Sequence, residues 1–250
     1  DNDSIRLTGP TAETTIWGGK GEDSVQLRNT VTSSYIYGNS GNDTIDVTAA
    51  VRNSFLNGGQ GDDRFSLTGT VSDSTVVGGS GSDLITLANA AIGTSVAGAS
   101  AGGTTDTAND TVVFSATGVS DVAVSFAEGA DSLSFAKGAT GATVAAAGGN
   151  DTVVAALTLA SGLVEAGAGD DSLSISVLSG STLKGGSGAD SINLSKAVSS
   201  KVYVNQGSDF ITATGDATSS TLSGGASGDS ISVGGNVTGG QIVGNSGADS

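Results

Sequence analysis

The chemistry in this sequence is carried by aspartates set at a fixed interval. Asp3, Asp23, Asp43, Asp63 and Asp83 follow one another every 20 residues. The column continues as Asp110, Asp131, Asp151, Asp171, Asp190, Asp209, Asp229 and Asp249, through one step of 27, one of 21, two of 19 and otherwise 20. Thirteen of the 25 acidic residues stand in this one column, so their position says more than the net charge does. Each aspartate closes a glycine-rich turn. The early copies read Gly18-Gly19-Lys20-Gly21-Glu22-Asp23, Gly38-Asn39-Ser40-Gly41-Asn42-Asp43, Gly58-Gly59-Gln60-Gly61-Asp62-Asp63 and Gly78-Gly79-Ser80-Gly81-Ser82-Asp83, close to GGxGxDxU once the next apolar residue is added. Glycine permits positive φ and close approach of backbone carbonyls. If the turns stack, carboxylates lie about one strand spacing apart, ~4.8 Å, and repel unless cations sit between them. Calcium suits such a place, since it takes about six or more oxygens in loose geometry, carbonyls included.

Composition removes most other chemistry. The chain has no Cys, no Met and no His, one Pro (Pro10) and one Trp (Trp17). A Ser-His-Asp triad, a cysteine nucleophile, an HExxH zinc site and a thiolate cluster are therefore all excluded. Nine basic residues against 25 acidic give a formal charge of -16, which makes nucleic acid and anionic membrane poor partners. No apolar run is long enough to span a bilayer, and residues 1–20 have no basic start or apolar block, so neither membrane insertion nor a recognisable signal peptide is expected. The basic residues, among them Arg6, Arg28, Arg64, Lys137 and Lys184, are scattered and form no column with acids. No enzymatic site is expected.

The elements that must hold the aspartates are legible on either side of each turn. Two residues after the column stand Ile5, Val25, Ile45, Phe65, Ile85 and their later equivalents, and four residues after stand Leu7, Leu27, Val47, Leu67 and Leu87. This period of two predicts a short strand with one face inward. A second aliphatic column seven residues before the Asp (Ile16, Ile36, Leu56, Val76, then Val124 to Ile242) predicts another strand beyond the turn. A further inward position follows at Val31, Val51 and Val71. A 20-residue period is too short for helical repeats, and the leucine-rich signature is missing, so the coils are expected to stack on copies of themselves. The fold predicted is all-β: a right-handed parallel β-helix of about twelve 20-residue coils in a single domain over 1–250. Regular coils are expected at 1–97, degenerate ones at 98–151 with an insertion at 99–109, and regular ones again at 152–250.

At these turns the sequence resembles the RTX, or haemolysin-type, calcium-binding repeat, whose nonapeptide is GGxGxDxUx. The usual repeat puts two nonapeptides in each coil; this chain has one such turn per 20 residues, so one calcium row and a bare opposite edge are expected. The resemblance implies that Asp23, Asp43, Asp63 and Asp83 bridge neighbouring turns. It also implies carbonyl ligands at Gly18, Lys20, Gly38, Ser40, Gly58, Gln60, Gly78 and Ser80, completed by second and fourth turn residues such as Gly41, Gly59, Gly61, Gly79 and Gly81. Later counterparts are Asp171, Gly185, Ser187, Asp190, Asp209, Asp229, Gly244 and Asp249. The turns ending at Asp131 and Asp151 have lost the first glycine to Phe126 and Ala146, so a metal-poor middle is expected there.

The resemblance further implies a calcium-stiffened structural region of a large secreted bacterial cell-surface protein of surface-layer type. An adhesin shaft, an ice-binding solenoid and a β-helix polysaccharide lyase or epimerase are the alternatives. Neither end carries a cap, so flanking sequence of the same protein or self-association is expected to supply one. Trp17, Tyr35, Tyr37 and Phe55 occupy outward positions near the amino end, as a contact surface for a partner or as a cross-strand ladder that only packs on itself. Asn-x-Ser/Thr triplets at Asn2, Asn42, Asn109, Asn150, Asn193 and Asn236 are read as a product of the repeat rather than as glycosylation signals.

Overall fold

The computed structural model describes residues 1–99 and 106–250; the part of the expected insertion at 100–105 lies outside the described residues. Every regular element among them is a β-strand, and the strand pairings are parallel. This is the right-handed parallel β-helix of about twelve coils that the 20-residue period predicts. The chain divides into two compact units, Asp1–Ser132 and Leu133–Ser250.

In the first unit each coil lays down three strands. The second coil shows the pattern: Ser24–Leu27, Val31–Thr32 and Tyr35–Ser40. The two-residue strand built around Val31 is an element that the apolar columns mark only as an inward position. Pairing joins each residue to the one 20 places on, as in Val25↔Ile45, Val31↔Val51 and Ile36↔Leu56. Identical positions therefore stack, and the apolar columns become continuous cores. Val25, Leu27, Ile36, Val47, Phe65 and Phe114 are among the buried side chains. Leu7, in the first coil, has a neighbour on one side only and is partly exposed.

In the second unit the first two strands fuse into single longer ones, Thr152–Ala160, Ser172–Ser179 and Ser191–Val198. Thr152–Ala160 has one residue more than Ser172–Ser179, and the register shifts between Ala155 and Thr158. That bulge is where the coil length changes from 20 to 19, so the shorter repeat is accommodated without disturbing the turn. Leu133, Phe135, Leu159, Leu173, Leu183 and Val202 fill this unit's core.

The turn opposite the aspartates is held by side chains of another kind. It carries a column of hydroxyls ten or so residues away: Ser54 Oγ accepts the Ser34 N–H at 3.2 Å and donates to the Arg52 carbonyl at 2.7 Å, and Ser74 Oγ accepts the Ser54 N–H at 3.1 Å. Ser181, Ser200 and Ser220 repeat the arrangement in the second unit. Just before each hydroxyl the backbone turns through the left-handed region, at Ser33, Asn53 and Asp73 with φ near 48–49°. The hydroxyl column pins that turn with neutral hydrogen bonds.

Candidate metal centre

The column aspartates meet as their spacing requires, and the hydrogen bonds show how. The backbone N–H of each donates to Oδ1 of the next coil's aspartate: Asp23 to Asp43 at 2.7 Å, Asp43 to Asp63 at 2.7 Å and Asp63 to Asp83 at 2.7 Å. The ladder runs on from Asp83 to Asp110 at 2.8 Å although 27 residues separate them. The extra residues therefore leave the column undisturbed. In the second unit it runs from Asp151 through Asp171, Asp190, Asp209 and Asp229 to Asp249, at 2.7–3.1 Å.

This ladder uses one carboxylate oxygen and leaves the other. Oδ2 of Asp23, Asp43, Asp63, Asp83, Asp171, Asp190, Asp209 and Asp229 is buried and has no hydrogen-bond partner among the described residues. A buried polar group without a partner costs about 1–3 kcal/mol, more when charged. Burial pushes several of the column carboxyls up, a backbone N–H from the preceding coil opposes the rise, and neighbouring carboxylates add to it. Asp63 and Asp190 rise to about 7 and Asp83 to about 8. Asp110 rises to about 7 and Asp131 to about 6, while Asp43, Asp171 and Asp209 also move upward.

The first glycine of the turn makes room for that second oxygen. A side chain on Gly38 would run into Asp43 Oδ2 and into the Gly58 carbonyl oxygen of the next coil. Gly18, Gly58 and Gly78 repeat the relation, each with its own aspartate and the following glycine's carbonyl. Two oxygen acceptors thus converge where a Cβ would sit, with no donor between them. Among the described residues no three acidic side chains gather to hold a metal, so any cation here must draw on backbone carbonyls as well. The residues present fit a hard divalent cation.

Sorted by this geometry, the expected site residues divide. Gly18, Gly38, Gly58, Gly78, Gly185, Gly224 and Gly244 each face their aspartate's Oδ2. So does Gly98, which faces Asp110 although the insertion puts it twelve residues upstream instead of five, and which is not among the expected ligands. At four coils the first glycine is replaced, by Phe126, Ala146, Ala166 and Val204, and each of these side chains is buried. The losses therefore reach Asp171 and Asp209 as well as the expected middle. The third turn residues Ser40, Gln60, Ser80 and Ser187 use their carbonyls to accept an N–H from the preceding coil, from Gly21, Gly41, Gly61 and Gly169 at 2.7–2.8 Å, leaving one lone pair each. Lys20 accepts the terminal amine of Asp1 at 2.8 Å. The fourth glycines Gly41, Gly61 and Gly81 hold φ of 112–120°, and a Cβ on them would strike the preceding coil's backbone. Gly59 and Gly79 are closed in by backbone in the same way.

Outside the turn, Asn42 Oδ1 accepts the Asp62 N–H at 2.9 Å, and Asn109 and Asn150 accept from Ala130 and Asp170. These bonds give the asparagines of the Asn-x-Ser/Thr triplets a structural role.

Residues 33–49 and 66–89 match the RTX calcium-binding nonapeptide repeat in four copies, spanning the Gly38–Asp43 and Gly78–Asp83 turns. No curated protein matches the chain in sequence. Among solved structures, the X-ray structure of a hyperactive, Ca2+-dependent, β-helical antifreeze protein from an Antarctic bacterium superposes with a TM-score of 0.70. The match covers 100% of this chain and 82% of that one at 21% identity, a likeness of fold.

Proposed function

We propose that this chain, a β-helical protein carrying RTX calcium-binding repeats, serves as a calcium-stiffened structural segment of a secreted bacterial cell-surface protein, of surface-layer type, and has no enzymatic role. The observation that carries the reading is the row of buried Oδ2 atoms of Asp23, Asp43, Asp63, Asp83, Asp190 and Asp229, without partners among the described residues and each beside a glycine that leaves its surroundings open. Calcium is the ion of the repeats, and when bound it supplies positive charge between coils. Asp23, Asp43, Asp63, Asp83, Asp110, Asp190, Asp229 and Asp249 would hold it, with carbonyls of Gly18, Gly38, Gly58, Gly78, Gly98, Gly185, Gly224 and Gly244. Asp131, Asp151, Asp171 and Asp209 lie beside a buried side chain and are proposed as weak or metal-free positions. Sites of this oxygen type in extracellular modules bind with Kd on the order of 10⁻⁴–10⁻³ M, enough outside a cell and too weak for cytosolic calcium.

Among the described residues the ion pairs are Arg28–Asp46 at 3.4 Å and Lys184–Glu165 at 2.6 Å, with all four side chains at least partly exposed. Far-UV circular dichroism and melting with calcium and with chelator test the proposal. A β spectrum that collapses in chelator and returns with calcium is expected; indifference to calcium overturns it.

The ice-binding alternative draws on the fold of the antifreeze protein. Its requirement for a regular outward array is not met at the turns, where the third residues are Lys20, Ser40, Gln60 and Ser80 and the fifth are Glu22, Asn42, Asp62 and Ser82. A thermal-hysteresis measurement separates the two readings.

A further inference from the structure

Beyond the calcium turns, one patch of the first unit holds side chains that the fold does not use. On the strands Thr15–Lys20, Tyr35–Ser40 and Phe55–Gln60, Tyr37 sits in register between Trp17 and Asn57, and Tyr35 pairs with Phe55. Tyr35 and Tyr37 have parallel ring planes with centroids 6.5 Å apart, and Phe55 lies 5.8 Å from Tyr37. Tyr35, Tyr37 and Phe55 therefore pack as expected, while Trp17 makes no ring contact among the described residues, and the patch is not closed off: Trp17 is 63% and Tyr35 52% exposed. Rings that served only to pack on one another would bury more of their faces.

Beside Tyr37 a groove of about 460 Å³ runs toward the turn, lined by Asn39, Ser40, Asn57, Gln60 and Ser80. It opens there because the residue in register with Asn39 is Gly59, which has no side chain. Asn2, Asn42 and Asn109 use their amide oxygens to hold the next coil. The amides of Asn39, Asn57 and Gln60 have no hydrogen-bond partner among the described residues. Amides and hydroxyls both donate and accept, as paired hydroxyls of a sugar require. None of the lining residues is charged, on a chain of net charge -16. Exposed ring faces next to unused neutral donors and acceptors match one class of ligand, with apolar C–H faces and hydroxyl edges and without charge.

We infer that the Trp17–Tyr35–Tyr37 face and the adjoining Asn39–Asn57–Gln60 groove form a binding site for a neutral saccharide. The rings take the flat face of a pyranose, and the amides bind its hydroxyls. The groove shares Ser40, Gln60 and Ser80 with the calcium turns, so the ligand would lie along the edge that the metal row stiffens.

Trp17 is the only tryptophan, so its emission reports this face alone. The test titrates the whole chain, in saturating calcium and with its β spectrum verified, with cellohexaose, chitohexaose and maltohexaose, and with an oligogalacturonate as the charged comparison. At least one neutral probe is expected to shift Trp17 emission with half-saturation below about 10 mM, and Tyr37→Ala to raise Kd about tenfold or more. Asn57→Ala, which removes an amide and no packing ring, is expected to weaken the same probe. If Tyr37→Ala loses its β spectrum, Asn57→Ala carries the comparison. No response to any neutral probe, titrations unchanged in the variants, or equal binding of the oligogalacturonate overturns the inference. Because the chain is verified as folded, such a result leaves the calcium reading untouched.

Discussion

Gly38 and Asp43 share one space: the carboxylate Oδ2 of the aspartate lies where the glycine would carry a Cβ, facing the Gly58 carbonyl of the next coil. The turn motif is thus one steric unit, in which the first glycine exists for the sixth residue's second oxygen. The same pairing, copied at Gly58 and Asp63 and at Gly78 and Asp83, makes the predictions that follow specific to single atoms.

Filling the space should remove a site. Gly58→Ala forces a methyl against Asp63 Oδ2 and the Gly78 carbonyl, and is expected to cost about 1–3 kcal/mol, as overpacking does, and to lower calcium stoichiometry. Gly9→Ala, where a Cβ meets nothing within 4 Å, should leave both unchanged. Conversely Ala166→Gly should open the space beside Asp171 and add one bound calcium. Calorimetric titration and melting in calcium check all three.

Removing charge while keeping shape should split stability from binding. Asp83→Asn retains an acceptor for the Asp63 N–H, while its amide can donate to the Gly98 carbonyl. In chelator the variant is expected to be more stable than the parent by about 1–3 kcal/mol, the cost of a buried unpartnered group. In calcium it should be less stable and bind one ion fewer. Paired denaturation curves with and without metal are the measurement.

Acid should stabilise the metal-free chain. Asp63, Asp83 and Asp190 titrate at about 7, 8 and 7 in the folded state, above the unfolded carboxyl near about 3.9. The folded chain then binds more protons, so this contribution is fully present below the unfolded value and is lost as pH rises through about 7–8. In chelator the melting temperature is therefore expected to fall between pH 5 and pH 8, by about several degrees. Saturating calcium should reverse the trend, since the metal takes the ionised form.

The opposite turn should matter for stability and not for metal. Ser54→Ala deprives the Ser34 N–H of its acceptor, with an expected loss of about 1–3 kcal/mol. Calcium stoichiometry should stay at the parent value, as read by titration.

The repeat carried much of this in plain view. Val25 and Leu27 point inward on the strand that follows Asp23 because alternate residues share a face, and the 20-residue copy places Ile45 on Val25. The hydroxyl column through Ser34, Ser54 and Ser74 obeys the same period, yet serine is common in this chain and its turn has no charge to attract notice. The column continued from Asp83 to Asp110 across seven extra residues, and the hydrogen bond between them shows that the insertion leaves the stacking intact, which the count alone could not establish.

By itself the sequence determined the parallel β-helix, the aspartate column and the oxygen-ligand chemistry, because all three follow from residue types recurring at one interval. Only the tertiary structure showed what the first glycine is for: the folded turn brings the residue five places before each aspartate against its Oδ2 and the next coil's carbonyl, so that a replacement such as Ala166 or Val204, itself plain in the sequence, closes a space that spacing along the chain does not reveal.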